Sequence, residues 1–155
     1  MHFEMRPLSF DNLLLYETRQ LREDWQEGIL LMEDITLVKN IYQNGPIFFS
    51  VAPEKHEDKF GHFIYYLPIN EEVKLADDDE YFTFLNHLHI EKALVLRQAD
   101  QEVDFHAAYK KLQEHARSQD IVLEDTFYCV LLEVYGEYII DLYVPMKDWS
   151  KGDDI

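Results

Sequence analysis

One stretch, residues 131–146 (Leu-Leu-Glu-Val-Tyr-Gly-Glu-Tyr-Ile-Ile-Asp-Leu-Tyr-Val-Pro-Met), constrains the fold more than any other part of the chain. Two runs of apolar and aromatic residues flank Tyr135-Gly136, a pattern typical of two strands joined by a tight turn. A shorter echo of the second strand lies earlier, at residues 63–69 (Phe-Ile-Tyr-Tyr-Leu-Pro-Ile). We therefore expect two related hairpins, with Glu133 as an acid at the end of an otherwise apolar strand row.

Hydrophobic periodicity predicts the same order of elements twice: strand, helix, strand, strand. Pro68 and Pro145 end the last strand of each half and are 77 positions apart, as are Tyr66 and Tyr143. The repeated order predicts an α+β fold in which duplicated βαββ units form one curved antiparallel sheet with two helices on one face.

The expected organisation is a single domain over residues 1–155, which is a usual length for one domain. Its pseudo-repeat halves are placed at about 7–70 and 80–147. The strongly polar segment 70–80 is interpreted as the linker between the halves, and residues 149–155 as a frayed tail.

Amphipathic spacing indicates two helices. The first begins near Leu21, spans about 20 residues, and is expected to end at Asn44-Gly45-Pro46, where a left-handed cap precedes a residue that cannot continue a helix. The second is expected at 102–118. The first strand, 8–18, is expected to bend near Asp11-Asn12, a pair that favours turns.

Acidic residues greatly outnumber basic ones, 31 to 14, which gives a formal net charge of −17. Phosphate contacts need a basic face, so binding to nucleic acid is not expected, and neither is attraction to an anionic membrane surface. Self-repulsion favours a monomer or a weak dimer. The same acid surplus would suit a protein partner with a basic surface.

Cys129, the single cysteine, cannot form an internal disulfide, and its place inside an expected strand indicates a buried apolar side chain. The sequence has no apolar run long enough to span a membrane. Its first residues, Met-His-Phe-Glu-Met-Arg, lack the basic and apolar regions of a signal peptide. A cytoplasmic protein is therefore expected.

Side chains alternate between the two faces of a strand, so parity predicts which ones the helices leave uncovered. In the last strand the row Ile140, Leu142 and Val144 is expected to pack on a helix. The opposite row is Asp141, Tyr143 and Pro145, and its counterparts in the first half are Ile64, Tyr66 and Pro68. A face rich in Tyr and acids would suit a flat or cationic ligand.

The pattern Leu132-Glu133-Val134-Tyr135, followed by residues 139–146, resembles the effector-binding, or gyrase-inhibitor-like (SOUL-related), superfamily. Its members typically show Glu-x-Tyr before a final strand that ends in an apolar residue, Pro and another apolar residue. The resemblance implies a pocket that neutralises cationic aromatic compounds. Its acid would be Glu133, with Tyr135 as neighbour and Tyr143 and Tyr66 as walls. Asp141, in the same row as Tyr143, completes the expected ligand-binding set.

A second resemblance rests on the stretch Asn44 to Ser50 (Asn-Gly-Pro-Ile-Phe-Phe-Ser) after the first helix, and on the strand end Leu67-Pro68-Ile69. These features resemble small acidic bacterial proteins encoded near LXG-type toxins of the type VII secretion system. That resemblance implies an accessory, chaperone or immunity-type protein that binds a toxin or secretion partner.

Three other patterns were candidates for chemistry. His87-x-His89 places two imidazoles on one face of a strand, but spacing fixes no third metal ligand. The run Asp77-Asp78-Asp79-Glu80 lacks the spacing of a calcium loop. No residue orients Cys129 as a nucleophile, and the sequence contains no phosphate-binding loop. From these patterns together, neither a metal nor a cofactor is expected.

The sequence thus predicts a non-enzymatic binding module. Its leading form is a partner-binding accessory, chaperone or immunity-type protein of a toxin or secretion locus. The alternative is a sensor that holds a cationic aromatic small molecule through Glu133 in a Tyr-lined cleft. The third is a weak hydrolase that uses the same acid in general acid–base work.

Overall fold

The computed structural model describes residues 2–54, 57–72, 75, 81–97 and 105–147. Within them the fold is α+β, with antiparallel strands and the predicted order strand, helix, strand, strand in each half. A short 3₁₀ turn, Arg22–Asp24, leads into the first helix. The bounds are β1 His2–Leu21, α1 Trp25–Val38, β2 Phe48–Glu54, β3 Glu57–Pro68, β4 Phe82–Arg97, α2 Phe105–Ser118, β5 Phe127–Val134 and β6 Glu137–Pro145.

The chain divides into two compact units. The first unit is Ser9–His89, and the second unit combines Met1–Leu8 with Ile90–Ile155. In the first, β3 pairs with both β1 and β2; in the second, β6 pairs with both β4 and β5. The unit boundaries cut through the long strands β1 and β4. The predicted tail 149–155 and most of the predicted linker 70–80 lie outside the described residues, and the single domain stays a prediction.

Backbone hydrogen bonds repeat between the units. The N–H of Asn44 donates to the carbonyl of Pro68 at 2.8 Å, and the N–H of Glu124 donates to that of Pro145 at 2.9 Å. The two helices have 14 residues each and begin 80 positions apart. The same bonds at equivalent places support the duplication that the element order predicts.

The predicted end of the first helix is wrong. The helix stops at Val38, and Asn40 then takes the left-handed conformation with φ 53°, well before Asn44-Gly45-Pro46. Asp120, with φ 57°, does the same after α2. Asn and Asp tolerate this conformation because their short polar side chains bond locally. The helices therefore end in the same way in both units.

β1 is longer than predicted, because the charged residues before Leu8 also adopt extended backbone. It bends at Asn12, as predicted, where φ is 57°. The carbonyl of Asn12 accepts the N–H of Ile69 at 2.8 Å, so the bend is tied to the end of β3. No helix in the described part of the chain is long and apolar enough to cross a membrane.

Aromatic contacts identify the face of each unit that packs on its helix. In the first unit, the hydroxyl of Tyr65 in β3 donates to the carbonyl of Trp25 at the start of α1, at 2.8 Å. In the second, the ring of Tyr109 in α2 lies 4.9 Å from that of Phe127 in β5. Buried Leu112 of α2 adds to this core.

Candidate functional site

Strand register sorts the side chains of the second unit into two faces. Tyr128 pairs with Tyr143, and Val130 pairs with Asp141. Because residues directly opposite in an antiparallel pair project to the same side, these four share one face. Glu133 pairs with Tyr138 and belongs to the other row.

The row of Glu133 also contains Phe127 and Cys129, and α2 packs on it through Phe127. Asp141 and Tyr143 therefore lie on the face away from α2, as parity predicts. We call the face that carries Tyr128, Val130, Asp141 and Tyr143 the helix-free face of the second unit.

Four charged side chains form a cluster on this face. Arg97 Nε lies 2.9 Å from Asp141 Oδ2, and Arg97 Nη1 donates to Glu4 Oε1 at 2.9 Å. Arg6 Nη1 lies 3.5 Å from the same Glu4 oxygen. The signs alternate along Arg6, Glu4, Arg97 and Asp141, so the ion cluster has no net formal charge.

The two ends of the central ion pair differ in exposure. The side chain of Asp141 is 4% exposed, whereas that of Arg97 is 35% exposed. Val95 of β4 pairs with Tyr143, which brings Arg97, two residues on, beside Asp141. The hydrogen bond to Glu4 and the charge of Asp141 raise the pKa of Arg97 above its usual value, so Arg97 is a permanent cation.

The contact between Arg97 Nε and Asp141 Oδ2 is close but poorly aligned. Arg97 Nε is buried and, among the described residues, donates no hydrogen bond of normal geometry. The 2.9 Å separation from Asp141 Oδ2 is therefore an ion pair in which the N–H does not point well at the oxygen. A buried donor left in this state weakens the pair relative to a well-aligned one.

Tyr143 stands in the same strand row as Asp141 and is buried. Burial is the largest cause that raises the pKa of Tyr143, while the charge of Arg6 lowers it and that of Asp141 raises it. The phenol is thus neutral at ordinary pH. A neutral aromatic ring beside a buried carboxylate is a combination that can contact a flat cation.

The helix-free face of the first unit carries aromatic rings in place of the ion cluster. Phe48 stacks on Phe10 at 4.7 Å and on Tyr66 at 4.5 Å between ring centroids. The hydroxyl of Tyr66 lies 3.4 Å from Ser50 Oγ. Since Tyr65 faces α1, its neighbour Tyr66 lies on the opposite side, as predicted.

The repeat shows which residues correspond in the two units. Val130 pairs with Asp141 in the second unit, and Ser50 pairs with Ile64 at the equivalent place in the first. Where the second unit has a buried acid, the first has an aliphatic side chain.

Within the second unit, the residues predicted to bind a ligand do not share one face. Asp141 and Tyr143 share the helix-free face of the second unit, and Tyr66 lies in the first unit. Glu133 is exposed and belongs to the α2-facing row. Tyr135 is in the hairpin turn, with φ 53° and a relative exposure of 101%. A ligand-binding role for each of them stays a prediction.

Sequence reasoning missed Arg97, Glu4 and Arg6. Arg97 ends a strand that was correctly expected, but its partner Glu4 is 93 positions away. Glu4 and Arg6 lie before the predicted start of the first strand. Their alternation with apolar Phe3 and Met5 is the signal that could have extended that strand and placed both on one face.

Among the other candidate groups, the structure describes the histidine pair and Cys129. His87 and His89 stack at 5.7 Å, and His87 Nδ1 contacts Asp11 Oδ1. Over the described ranges, no three metal-binding side chains come together. The acidic run 77–80 lies outside the described residues. Burial raises the pKa of the Cys129 thiol well above its usual value, so the thiol stays protonated and unreactive.

Comparison with known proteins gives structural likeness without sequence likeness. No protein-family model matches the chain, and no curated protein matches it. The C-terminal domain of EcmrR matches with a TM-score of 0.64 and 9% identity, over 95% of this chain and 99% of that domain. In the EcmrR–DNA complex, the match covers 57% of the longer EcmrR chain.

Two further solved structures have the same fold. SAV2435, bound to tetraphenylphosphonium, matches with a TM-score of 0.50 and 13% identity, over 97% of both chains. A hydrolase from Listeria innocua matches with a TM-score of 0.55 and 6% identity, over 93% of this chain and 92% of the hydrolase. At these identities the likeness shows the fold, which occurs in a protein that holds a cationic aromatic ligand and in one named a hydrolase.

Proposed function

We propose that this chain is a non-enzymatic binding module for a small cationic aromatic molecule, with Asp141 as the anion that recognises it. The observation that carries the proposal is the burial of the Asp141 carboxylate on a strand face that α2 does not cover. The shared fold with SAV2435, which binds tetraphenylphosphonium, supports the same class of ligand.

Asp141 suits this role better than Glu133. A carboxylate shielded from water attracts a cation more strongly, because the local dielectric constant is low. Glu133 is exposed, so water and salt would screen its attraction for a ligand. Tyr143 and Tyr128 lie on the same face as Asp141 and would supply the aromatic contacts.

The test is binding of tetraphenylphosphonium by calorimetry and by thermal shift. A ligand at 100 times its Kd should stabilise the fold by about 2.7 kcal/mol. Asp141→Asn should weaken binding at least about tenfold, or about 1.4 kcal/mol. Glu133→Gln is the matched control, because it removes an exposed carboxylate from the other face of the same hairpin.

Two outcomes would overturn the proposal: equal affinity in Asp141→Asn and the unaltered chain, or loss of binding in Glu133→Gln alone. Circular dichroism checks that Asp141→Asn is folded. If that variant does not fold, Tyr143→Phe and Tyr143→Ala replace it. Binding should survive the loss of the hydroxyl and fall when the ring is removed.

The second candidate is a partner-binding accessory, chaperone or immunity-type protein of a toxin or secretion locus. The net charge of −17 and the fully exposed Tyr135 at the hairpin tip favour a basic protein partner. It predicts salt-sensitive co-purification with the product of a neighbouring gene, reduced by Tyr135→Ala. A complex that forms equally at low and high salt would contradict the electrostatic part.

A hydrolase is the third candidate, favoured only by the likeness to hydrolases from Listeria innocua. The predicted acid would be Glu133. Turnover of ester or amide substrates should then disappear in Glu133→Ala, and activity that persists in this variant would exclude the mechanism.

A further inference from the structure

We infer that Arg97 is an internal competitor for the ligand: its guanidinium neutralises Asp141 in the empty protein, and a cationic ligand has to displace it. Glu4 holds the displaced guanidinium. This inference rests on the proposed function, because it concerns how the Asp141 site is regulated.

The geometry of Arg97 fits a group that can leave one partner and keep another. Its Nη1 donates a hydrogen bond to Glu4, whereas its Nε faces Asp141 without normal hydrogen-bond geometry. The Arg97 side chain is 35% exposed and that of Glu4 is 30% exposed, so both are in contact with solvent. Arg97 is thus held to Glu4 mainly through a hydrogen bond and to Asp141 mainly through charge.

Charge balance explains why the competition matters. The ion cluster of Arg6, Glu4, Arg97 and Asp141 is formally neutral, so it does not attract a cation from a distance. Moving Arg97 away from Asp141 with nothing in its place would leave the buried carboxylate less well compensated, which destabilises a fold. A ligand that replaces Arg97 at Asp141 keeps the carboxylate neutralised throughout. The exchange therefore occurs without a buried unpaired charge.

The duplicated fold provides an internal comparison. Arg97 and Asp141 occupy the places that Glu17 and Ile64 occupy in the first unit, where those two residues pair directly. Glu17 Oε1 instead contacts His62 Nε2. At this position of the repeat, the second unit therefore has a buried acid beside an arginine, and the first unit does not. This difference is expected if the ion pair serves the site rather than the shared fold.

The inference predicts effects of opposite sign for the two partners of Arg97. Arg97→Gln removes the competitor and should raise the affinity for tetraphenylphosphonium about tenfold. Glu4→Gln removes the alternative partner, so Arg97 stays on Asp141, and affinity should fall several-fold. Arg97→Lys keeps a cation at the position and should restore most of the original affinity.

Arg6→Gln is the control for net charge, because it removes one positive charge from the cluster without touching Asp141. A pure charge effect would raise affinity equally in Arg6→Gln and Arg97→Gln, and that result would overturn the inference. A fall in affinity in Arg97→Gln would overturn it as well. If Arg97→Gln does not fold, the inference stands or falls on Glu4→Gln, and unchanged or increased affinity there would refute it.

Asp141→Asn separates this inference from the proposed function. If Asp141→Asn binds tetraphenylphosphonium as tightly as the unaltered chain, both the proposed site at Asp141 and the competition by Arg97 are refuted. If Asp141→Asn loses binding but Arg97→Gln does not bind tetraphenylphosphonium more tightly, Asp141 is still the binding site. Only the competition by Arg97 is then refuted.

Discussion

Gly28 of α1 lies directly against the ring of Tyr65 in β3, with no room between them for a side chain. A Cβ atom at Gly28 would overlap the Cε2 and Cζ atoms of Tyr65. The Tyr65 hydroxyl donates to the Trp25 carbonyl at 2.8 Å and receives a hydrogen bond from Gln20 Nε2 at 2.8 Å. The ring is fully buried and held at its hydroxyl end, so it cannot move aside easily.

Gly28→Ala is therefore expected to destabilise the protein. In a solvent-exposed helix interior this change would stabilise by roughly 0.5–1 kcal/mol, because Ala has the higher helix propensity. Overpacking against a fixed ring costs about 1–3 kcal/mol and should outweigh that gain. The free energy of unfolding, from urea denaturation, measures the difference. Stabilisation by Gly28→Ala would show that α1 is not pressed onto Tyr65.

The double variant Gly28→Ala with Tyr65→Leu gives the matched control. Leu at position 65 removes the ring that the new methyl group would meet, so the penalty of Gly28→Ala should shrink or reverse in that background. A double-mutant cycle should give a coupling of about 1 kcal/mol or more, in the direction of rescue. Strict additivity would mean that the two residues do not constrain one another.

The parts of the fold that local patterns determine could be predicted from the sequence. Alternation along β3 and β6 put Tyr66 and Tyr143 on the helix-free faces, because parity depends only on neighbouring residues. The end of α1 could not be placed this way, because Asn40 and Asn44-Gly45-Pro46 are both acceptable stop signals. Which signal is used depends on where the chain must turn to meet β3.

The candidate site was predicted only in part, because burial and long-range pairing are not visible in a strand pattern. Strand parity indicates Asp141, whereas the Glu-x-Tyr motif points to Glu133 as the acid of the site. The register then places Glu133 on the other face, where it is exposed. Arg97 and Glu4 meet across 93 positions, and only tertiary structure brings them together.

Tyr135 is expected to weaken the turn that it occupies. Both central residues of this two-residue hairpin loop have positive φ, 53° at Tyr135 and 80° at Gly136. That is the geometry in which Asn-Gly is strongly preferred. A bulky L-residue in the left-handed region costs roughly 1–2 kcal/mol, and a fully exposed ring gains nothing from packing.

Tyr135→Asn should therefore stabilise the protein by about 0.5–1 kcal/mol, seen as a higher urea midpoint with an unchanged m-value. Tyr135→Val is the contrasting variant, because a β-branched residue is poorly tolerated at positive φ and should destabilise. If Tyr135→Asn lowers the midpoint, the exposed ring contributes to stability through contacts that its exposure does not indicate.

Cys129 should be inert to thiol reagents in the folded protein. Its side chain is buried, and burial raises the thiol pKa well above the ordinary value, so the reactive thiolate is suppressed. Labelling by a chromogenic disulfide reagent near neutral pH should be slow and should accelerate in urea in step with unfolding. Rapid labelling without denaturant would indicate that β5 opens locally.

Alkaline pH should lower stability through Tyr143. Burial raises the folded-state pKa of Tyr143 above the ordinary value of 10.0. From about pH 10 upward, the unfolded chain therefore releases this proton while the native state retains it. Because the native state then binds more protons, the free energy of unfolding falls as pH rises. The contribution is fully present below the ordinary pKa and is lost as pH approaches the folded-state value.

Tyr143→Phe should flatten this dependence, because phenylalanine has no proton to lose in either state. Urea midpoints measured between about pH 8 and pH 11 would show a shallower decline in the variant than in the unaltered chain. Tyr135→Phe is the control, since it removes a phenol hydroxyl that is fully exposed rather than buried and should leave the slope unchanged. Equal slopes in all three proteins would mean that the Tyr143 phenol is as well hydrated in the folded protein as in the unfolded chain. That result would also contradict the proposal for Asp141, because the proposed site requires that this face of β6 is shielded from water.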